Sequence, residues 1–454
     1  MNRSRVAAFA WIAGVCAAAA AQPVPRDDLA LQIYRELVGI RTVHPDGDNS
    51  AAARAMARRL LDAGFDPRDV EIIEPAPRKG NLVARYRGTG ELKPLLLLAH
   101  LDVVEAKKED WSDGLDPFTL AERDGYFYGR GSLDDKAMAA IFVANLIRYK
   151  REGFRPRRDL IVALTADEET GTHNGVAWLL GHRRDAIDAE LALNEGGLGT
   201  MRGGKPFVHG VQVSEKMYLT FDFEATHAGG HSSVPGRDNA IYDLAAALDR
   251  LAKLELPARL SLVTRLYFAR LGHIESGGLG EAIAAIAANS ASDAQLRRVS
   301  TVPRYNAQLR TTCVATRLEG GHADNALPQR ARATVNCRLI PEFVREQLQR
   351  VAGDRVTVRP RGDVRVSEAS DPQSAAMRAI ERVSRSMWPG TPVVPIMGAG
   401  ATDGSRLRNA DIPVYGVSGL FVEYGEGRAH GRDERLAVKS FFEGSEFLYR
   451  LVKT

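Results

Sequence analysis

A chain of 454 residues, 44% hydrophobic and 26% charged, is longer than one ordinary core needs and has the composition of a globular protein, so two domains are expected. The formal net charge of +4 falls to +2 once Arg3 and Arg5 are set aside. That is too little to argue for nucleic acid as a partner.

Residues 1–21 carry Arg3 and Arg5, then an apolar stretch from Val6, then small residues Ala19 to Ala21 before Gln22 and Pro23. This is the layout of a secretory signal. Cleavage near Ala21 and a secreted or periplasmic chain are expected, with no membrane attachment afterwards. The apolar run is shorter than the roughly 20 residues of a spanning helix, and Val15 occupies the place where lipid attachment at Cys16 wants a small residue. Loss of the signal leaves Cys313 and Cys337. One disulfide is possible, but two separate buried thiols are the favoured expectation, because a domain of this size does not depend on a staple.

Short continuous apolar runs at 94–99, 160–164, 191–193 and 412–417 predict central strands of a mostly parallel sheet, buried on both faces. Helical patterns at 50–63, 137–150, 176–182 and 372–387 lie between them. The alternation predicts an α/β fold with helices on both faces of the sheet. From Tyr218 the texture changes. Alternating strands at 218–225, 332–339 and 355–359 and helices at 240–251 and 342–352 predict an inserted α+β domain, 214–365, between two catalytic portions, 22–213 and 366–454. An alanine-rich helix is expected at 277–291.

Candidate metal ligands follow the predicted strands. His100 and Asp102 follow the first run, Glu168 and Glu169 the second, Glu195 the third, and His430 lies beyond the last. Ligands bind at the carboxyl ends of strands in open α/β sheets, so four segments would converge on one edge. His-x-Asp alone is weak and more often structural. Asp134 and Asp135 open a helix and read equally well as an N-cap with a dipole-favoured acid. The Glu168-Glu169 pair would be a solvated turn if it did not end a buried apolar strand. Gly129-Arg130-Gly131 matches the first half of a dinucleotide fingerprint, but the third glycine of that fingerprint falls at Asp134.

Taken together, Ala99-His100-Leu101-Asp102-Val103-Val104, Gly129 to Lys136, Thr165-Ala166-Asp167-Glu168-Glu169, Asn194-Glu195-Gly196-Gly197, Gly230-His231-Ser232-Ser233 and Ala429-His430-Gly431-Arg432-Asp433-Glu434 resemble the dinuclear zinc family of carboxypeptidase G, aminoacylase, carnosinase and yeast carboxypeptidase S. The Asn-Glu-Gly-Gly version is nearest the carboxypeptidase S branch. The resemblance implies a zinc-exopeptidase fold with a lid and dimerisation domain, and two zinc ions, or other divalent ions, bridged by Asp134. His100 and Glu195 would complete one site and Glu169 and His430 the other, with a shared water in the open position. It implies Glu168 as general base, Asp102 as the group that orients His100, and a cis peptide between Asp134 and Asp135. His231 would cross a homodimer to stabilise the oxyanion in the partner's site. Asn325 and Arg338 would contact a substrate carboxylate, and Gly400 to Gly404 would form a substrate loop. The expected activity is hydrolysis of a peptide or amide bond next to a carboxyl-terminal amino acid. The alternative is an N-acyl-amino-acid deacylase; a non-catalytic binder would lack a ligand or the base, and none is lacking.

Overall fold

The computed structural model describes residues 27–169, 172–340, 344–362, 366–426 and 428–454. The expected signal at 1–21 lies outside them. The main body is a mixed α/β sheet of ten strands. In spatial order it runs Val70–Ile73, Asn81–Tyr86, Arg158–Thr165, Leu92–His100, Leu191–Asn194, Val414–Gly416, Lys205–Glu215, Gly199–Arg202 and Phe421–Glu423, with Val393–Gly398 paired alongside Lys205–Glu215. Leu92–His100 is parallel to both of its neighbours, as Val414–Gly416 is to Leu191–Asn194.

Side chains alternate faces along a strand, and here each face has its own cover. Leu95, Leu97, Ala99, Leu160, Val162 and Leu164 pack with helices Asp28–Gly39, Asn49–Asp62, Lys136–Arg151, Ala375–Met387 and Val438–Val452. Leu96, Leu98, Ile161 and Ala163 pack with Val176, Leu179, Ile187 and Leu407 on the other side. Two buried faces explain why these strands read as unbroken apolar runs. Side-chain caps start several of the helices: Asp27 accepts from the Leu29 and Ala30 N–H groups, and Ser374 from Met377. Among the described residues no helix is long and apolar enough to cross a membrane.

A second core lies under a four-stranded antiparallel sheet, ordered Thr312–Gly320, Arg330–Leu339, Met217–Thr226 and Val356–Arg361, with helices Ala240–Ala252 and Arg345–Ala352 packed on it. The segment between its first helix and its edge strand behaves differently. Helices Leu262–Gly272, Gly277–Ala287, Asp293–Ser300 and Pro303–Leu309 form a separate cluster whose core includes Val394 of the main sheet, with Val208 and Ile396 packed against it. Within the 214–365 stretch expected as one insertion, these helices therefore lie against the main body. The smaller sheet already has its two helices, and the apolar side of Tyr267, Phe268, Leu271, Ile283 and Ile286 finds its cover at the Val393–Gly398 strand.

The expectation of two separate thiols is corrected. Cys313 and Cys337 form a disulfide. They face each other directly in the register of two neighbouring antiparallel strands, with Cα atoms 4.1 Å apart, a juxtaposition that depends on register and not on domain size. Closing a loop with a sequence separation of 24 restricts the unfolded chain by up to about 3.5 kcal/mol. Cys313→Ser/Cys337→Ser is therefore expected to unfold at lower denaturant than the oxidised parent, and reductant should lower the parent's midpoint but not the variant's.

Candidate active site

The parallel register sets the level at which the strands end. His100 is opposite Thr165, and Leu97 is opposite Leu193, so His100, the Asp167-Glu168-Glu169 turn and Glu195 leave the sheet at one edge. Asp134 joins them from the segment that opens helix Lys136–Arg151, and His430 from the loop before strand Arg435–Ala437. One oxygen of Asp134 is 3.0 Å from His100 Nε2, and the other is 3.2 Å from His430 Nε2. His430 Nε2 is also 2.7 Å from a Glu169 oxygen, and His100 Nε2 is 3.9 Å from Glu195. All five expected ligands thus surround a common space, with the Asp134 carboxylate in the middle. The Asp134–Asp135 peptide is cis.

Hydrogen bonding fixes the His100 tautomer. Its Nδ1 is 2.9 Å from the carbonyl oxygen of Asp102, which can only accept, so Nδ1 carries the proton. The Nε2 lone pair then faces carboxylate oxygens. Lone pairs so opposed need a cation or a proton between them, and the imidazole and carboxylate donors suit a divalent ion such as zinc. Charge points the same way. Burial among other acids pushes the Glu168, Glu195 and Asp135 carboxyls well above the usual range. Burial would raise Asp134 as well, but with protons between its oxygens and the His100 and His430 rings the carboxyl is held well below the usual range. Those contacts with Asp134 and Glu169 lift His430 to about 10. Asp135 does not act as an ordinary cap: it makes no side-chain cap hydrogen bond, and its Oδ2 is buried without a partner.

Asp102 holds more than an imidazole. Its carboxylate is 3.7 Å from His100 Nδ1, while its two oxygens accept the backbone N–H groups of Glu168 and Glu169 at 3.1 and 3.0 Å. Burial pushes this carboxyl up to about 6. Sequence reasoning assigned no role to several residues that build the site. Asp167, at φ 59°, turns the chain into Glu168 and is fully buried against Lys79 Nζ at 2.5 Å. Glu434 is buried against Arg130 at 2.6 Å and accepts the N–H groups of Leu133 and Asp134. Arg130 and Glu434 stand inside the motifs quoted above, so their charge was a visible signal; Lys79 had none.

His231, Asn325 and Arg338 lie on the smaller sheet's body. His231 is exposed, and its Nδ1 is 2.7 Å from Ser233 Oγ. Asn325 is close by, because His231 pairs with Ala326. Arg338 is half-buried, with its guanidinium 4.7 Å from the Tyr218 ring centre. None of the three lines the cavity beside the acids within one chain. That cavity, about 500 Å³, continues from Asp134, Glu168, Glu169, Glu195 and His430 past Gly398 to Thr402, so part of the expected glycine-rich loop does reach it.

An open α/β sheet with two imidazoles and a surplus of buried carboxylates at its carboxyl edge defines a metal-dependent hydrolase. The chain belongs to the peptidase family M20/M25/M40, whose sequence model matches residues 96–454. It is 30% identical over 377 residues to the N-fatty-acyl-amino acid synthase/hydrolase PM20D1 of Xenopus tropicalis, covering 80% of this chain and 72% of that protein. It is 29% identical to the probable carboxypeptidase S-like 2 of Dictyostelium discoideum, covering 82% and 74%. The fold matches the crystal structure of the M20 family metallo-carboxypeptidase Sso-CP2 from Sulfolobus solfataricus with a TM-score of 0.68 at 17% identity, over 93% of this chain and 98% of that one.

Removing one partner of a buried ion pair costs about 3–5 kcal/mol, because the other charge stays buried and unpaired. Lys79→Met is expected to show this loss in denaturant unfolding, and Lys79→Met/Asp167→Asn to recover most of it. Additive losses in the double variant would contradict the pairing.

Proposed function

We propose that this enzyme hydrolyses the amide bond joining an apolar acyl group to the nitrogen of an amino acid whose carboxylate is free. The observation that carries this reading is the wall of the cavity that opens from the acidic cluster. Leu198, Phe207, Val208, Tyr267, Leu271 and Ile396 line it. A dipeptide would bring an ammonium group into the same space. Glu423, the one lining acid outside the central cluster among the described residues, is already engaged by the N–H groups of Gly203 and Gly204 at 2.6 and 3.1 Å. The N-acyl reading therefore fits better than the peptidase one, and it agrees with the activity for which the PM20D1 relative is named.

In this reading His100, Asp134 and Glu195 would hold one divalent ion, and Asp134, Glu169 and His430 the other. Zinc ions bound there would supply Lewis acidity and lower the pKa of water. Glu168 carries the proton from water to the departing amine. Asp102 keeps Glu168 and Glu169 aimed by holding their backbone N–H groups. His231 serves the active site of a second subunit in a homodimer, where Asn325 and Arg338 take the substrate carboxylate. Export through residues 1–21 would deliver the chain to an oxidising compartment, which suits the Cys313–Cys337 bridge.

Purified, metal-loaded enzyme should cleave N-acyl amino acids faster than dipeptides of equal size. Blocking the substrate carboxylate as an amide should lower kcat/KM about ten- to a hundredfold, the worth of one charge-assisted hydrogen bond. Undiminished cleavage of the amide would remove the carboxylate from the reading. Glu168→Gln should retain its metal and lose about 10²–10⁴-fold in kcat, while Glu169→Gln should lose metal. Equal metal loss in the two variants, measured by elemental analysis, would show that base and ligand are not separate residues.

A further inference from the structure

The cavity beside the acidic cluster has two sides of different origin. Strands Gly199–Arg202, Lys205–Glu215 and Val393–Gly398 supply one side. Tyr267 and Leu271, one turn apart on helix Leu262–Gly272, and Tyr305 on helix Pro303–Leu309 supply the other. Both helices belong to the stretch that interrupts the smaller sheet in sequence but shares its core with Val394 of the main sheet. The smaller sheet's core is separate and contains none of these residues. The wall is therefore anchored to the floor that carries the metal ligands.

Several of its polar groups are turned to structural use. The Tyr305 hydroxyl donates to Glu275 at 2.5 Å, Glu275 pairs with Arg202 at 2.5 Å, and Gln308 Nε2 donates to the Met397 carbonyl at 2.7 Å. Leu271 and Ile396 present apolar surface to the space. At the rim Arg304 is exposed and lies 4.8 Å from the ring centre of Tyr424. A cation there repels an ammonium group and leaves a hydrocarbon chain indifferent. The volume, about 500 Å³, falls within the range of about 300–1,000 Å³ that holds ligands of drug size. That is far more than an acetyl group needs.

We propose that helix Leu262–Gly272 is the specificity wall of the enzyme, that the cavity it closes takes a linear apolar acyl chain, and that Leu271 with Tyr267 sets how long a chain is preferred. The proposal rests on the N-acyl reading above. A buried methylene is worth about fourfold in an equilibrium or in kcat/KM, so preference should climb with each carbon the wall still contacts.

The test is a series of N-acyl derivatives of one amino acid, from acetyl to dodecanoyl, assayed with the parent enzyme, Leu271→Trp and Leu271→Ala. In the parent, kcat/KM should rise about fourfold per methylene and then level off. Leu271→Trp should lower the dodecanoyl-to-acetyl ratio at least tenfold and bring the plateau to a shorter chain. Leu271→Ala should move the plateau to a longer chain, so a folding defect in the tryptophan variant alone does not decide the matter. A parent profile flat in chain length, or substitutions that scale every substrate by one factor, would overturn the wall while leaving the N-acyl reading in place. A Leu271 effect that follows the amino-acid side chain instead of the acyl chain would overturn it too. Hydrolysis of dipeptides with no N-acyl amino acid cleaved at any length would overturn both.

Discussion

The site depends on one buried ion pair. Arg130 and Glu434 are 304 positions apart in sequence, and their side chains are 3% and 0% exposed. Glu434 receives the N–H groups of Leu133 and Asp134, while Arg130 donates to the carbonyls of His430 and Gly431 at 3.3 and 3.0 Å. The pair thus fastens the segment carrying the central carboxylate to the loop carrying the exposed histidine. Desolvation makes such pairs poor sources of stability, but they restrict which arrangements are tolerated, since any other would leave a charge buried alone. Asp134 lies between two imidazoles because its backbone and that of His430 hang from the same pair.

The same economy of charge holds around Glu168. Its turn is gripped from two sides, by the Asp102 carboxylate on the N–H groups and by Asp167 held against Lys79. Two acids that bind no ion in the proposed arrangement therefore aim two that do chemistry. Asp403, also buried, accepts from Asn174 at 2.7 Å and adds to the negative field that pushes Glu168 upward. So many carboxylates at one sheet edge would repel each other apart without cations. Of the protein's own cations nearby, Lys79 and Arg130 are committed to Asp167 and Glu434, Arg406 lies against Asp403, and the buried Lys136 ammonium donates to the Ile40 carbonyl.

How much could be read beforehand follows from how local each signal is. The central strands were legible because two covered faces leave no polar alternation. The ligand candidates were legible because they stand directly after those runs. The short antiparallel strands Val70–Ile73, at the edge, and Asn81–Tyr86, next to it, mix polar and apolar residues and gave no comparable pattern. Cysteine pairing depends on strand register, which Cys313 and Cys337 do not reveal by composition. An amphipathic helix shows that it has an apolar face but not which surface covers it, so helices 262–309 could not be assigned to the main sheet. Lys79 was invisible for a related reason: its partner is 88 positions away, and nothing in the neighbourhood of either residue names the other.

The junction between the two cores bears on how substrate is enclosed. Glu215 ends a strand of the main sheet, and Lys216 leads into the smaller one. Glu215 accepts the Thr402 N–H at 2.6 Å and pairs with Arg408 at 2.5 Å, both side chains nearly inaccessible. The Lys216 N–H donates to the Gly398 carbonyl at 2.9 Å, and its ammonium to the Arg310 carbonyl at 2.6 Å, just before the chain enters the Thr312–Gly320 strand. One pair of residues thus binds together the way into the smaller sheet, the return to it, and both ends of the Gly398 to Thr402 lining of the cavity. A rotation of the smaller body about this junction would pull on that lining while leaving the wall at Leu271 in place, because the wall's core is shared with the main sheet. Under the proposed reading, enclosure of the amino-acid end of a substrate and selection of its acyl end would fall to different parts of the chain.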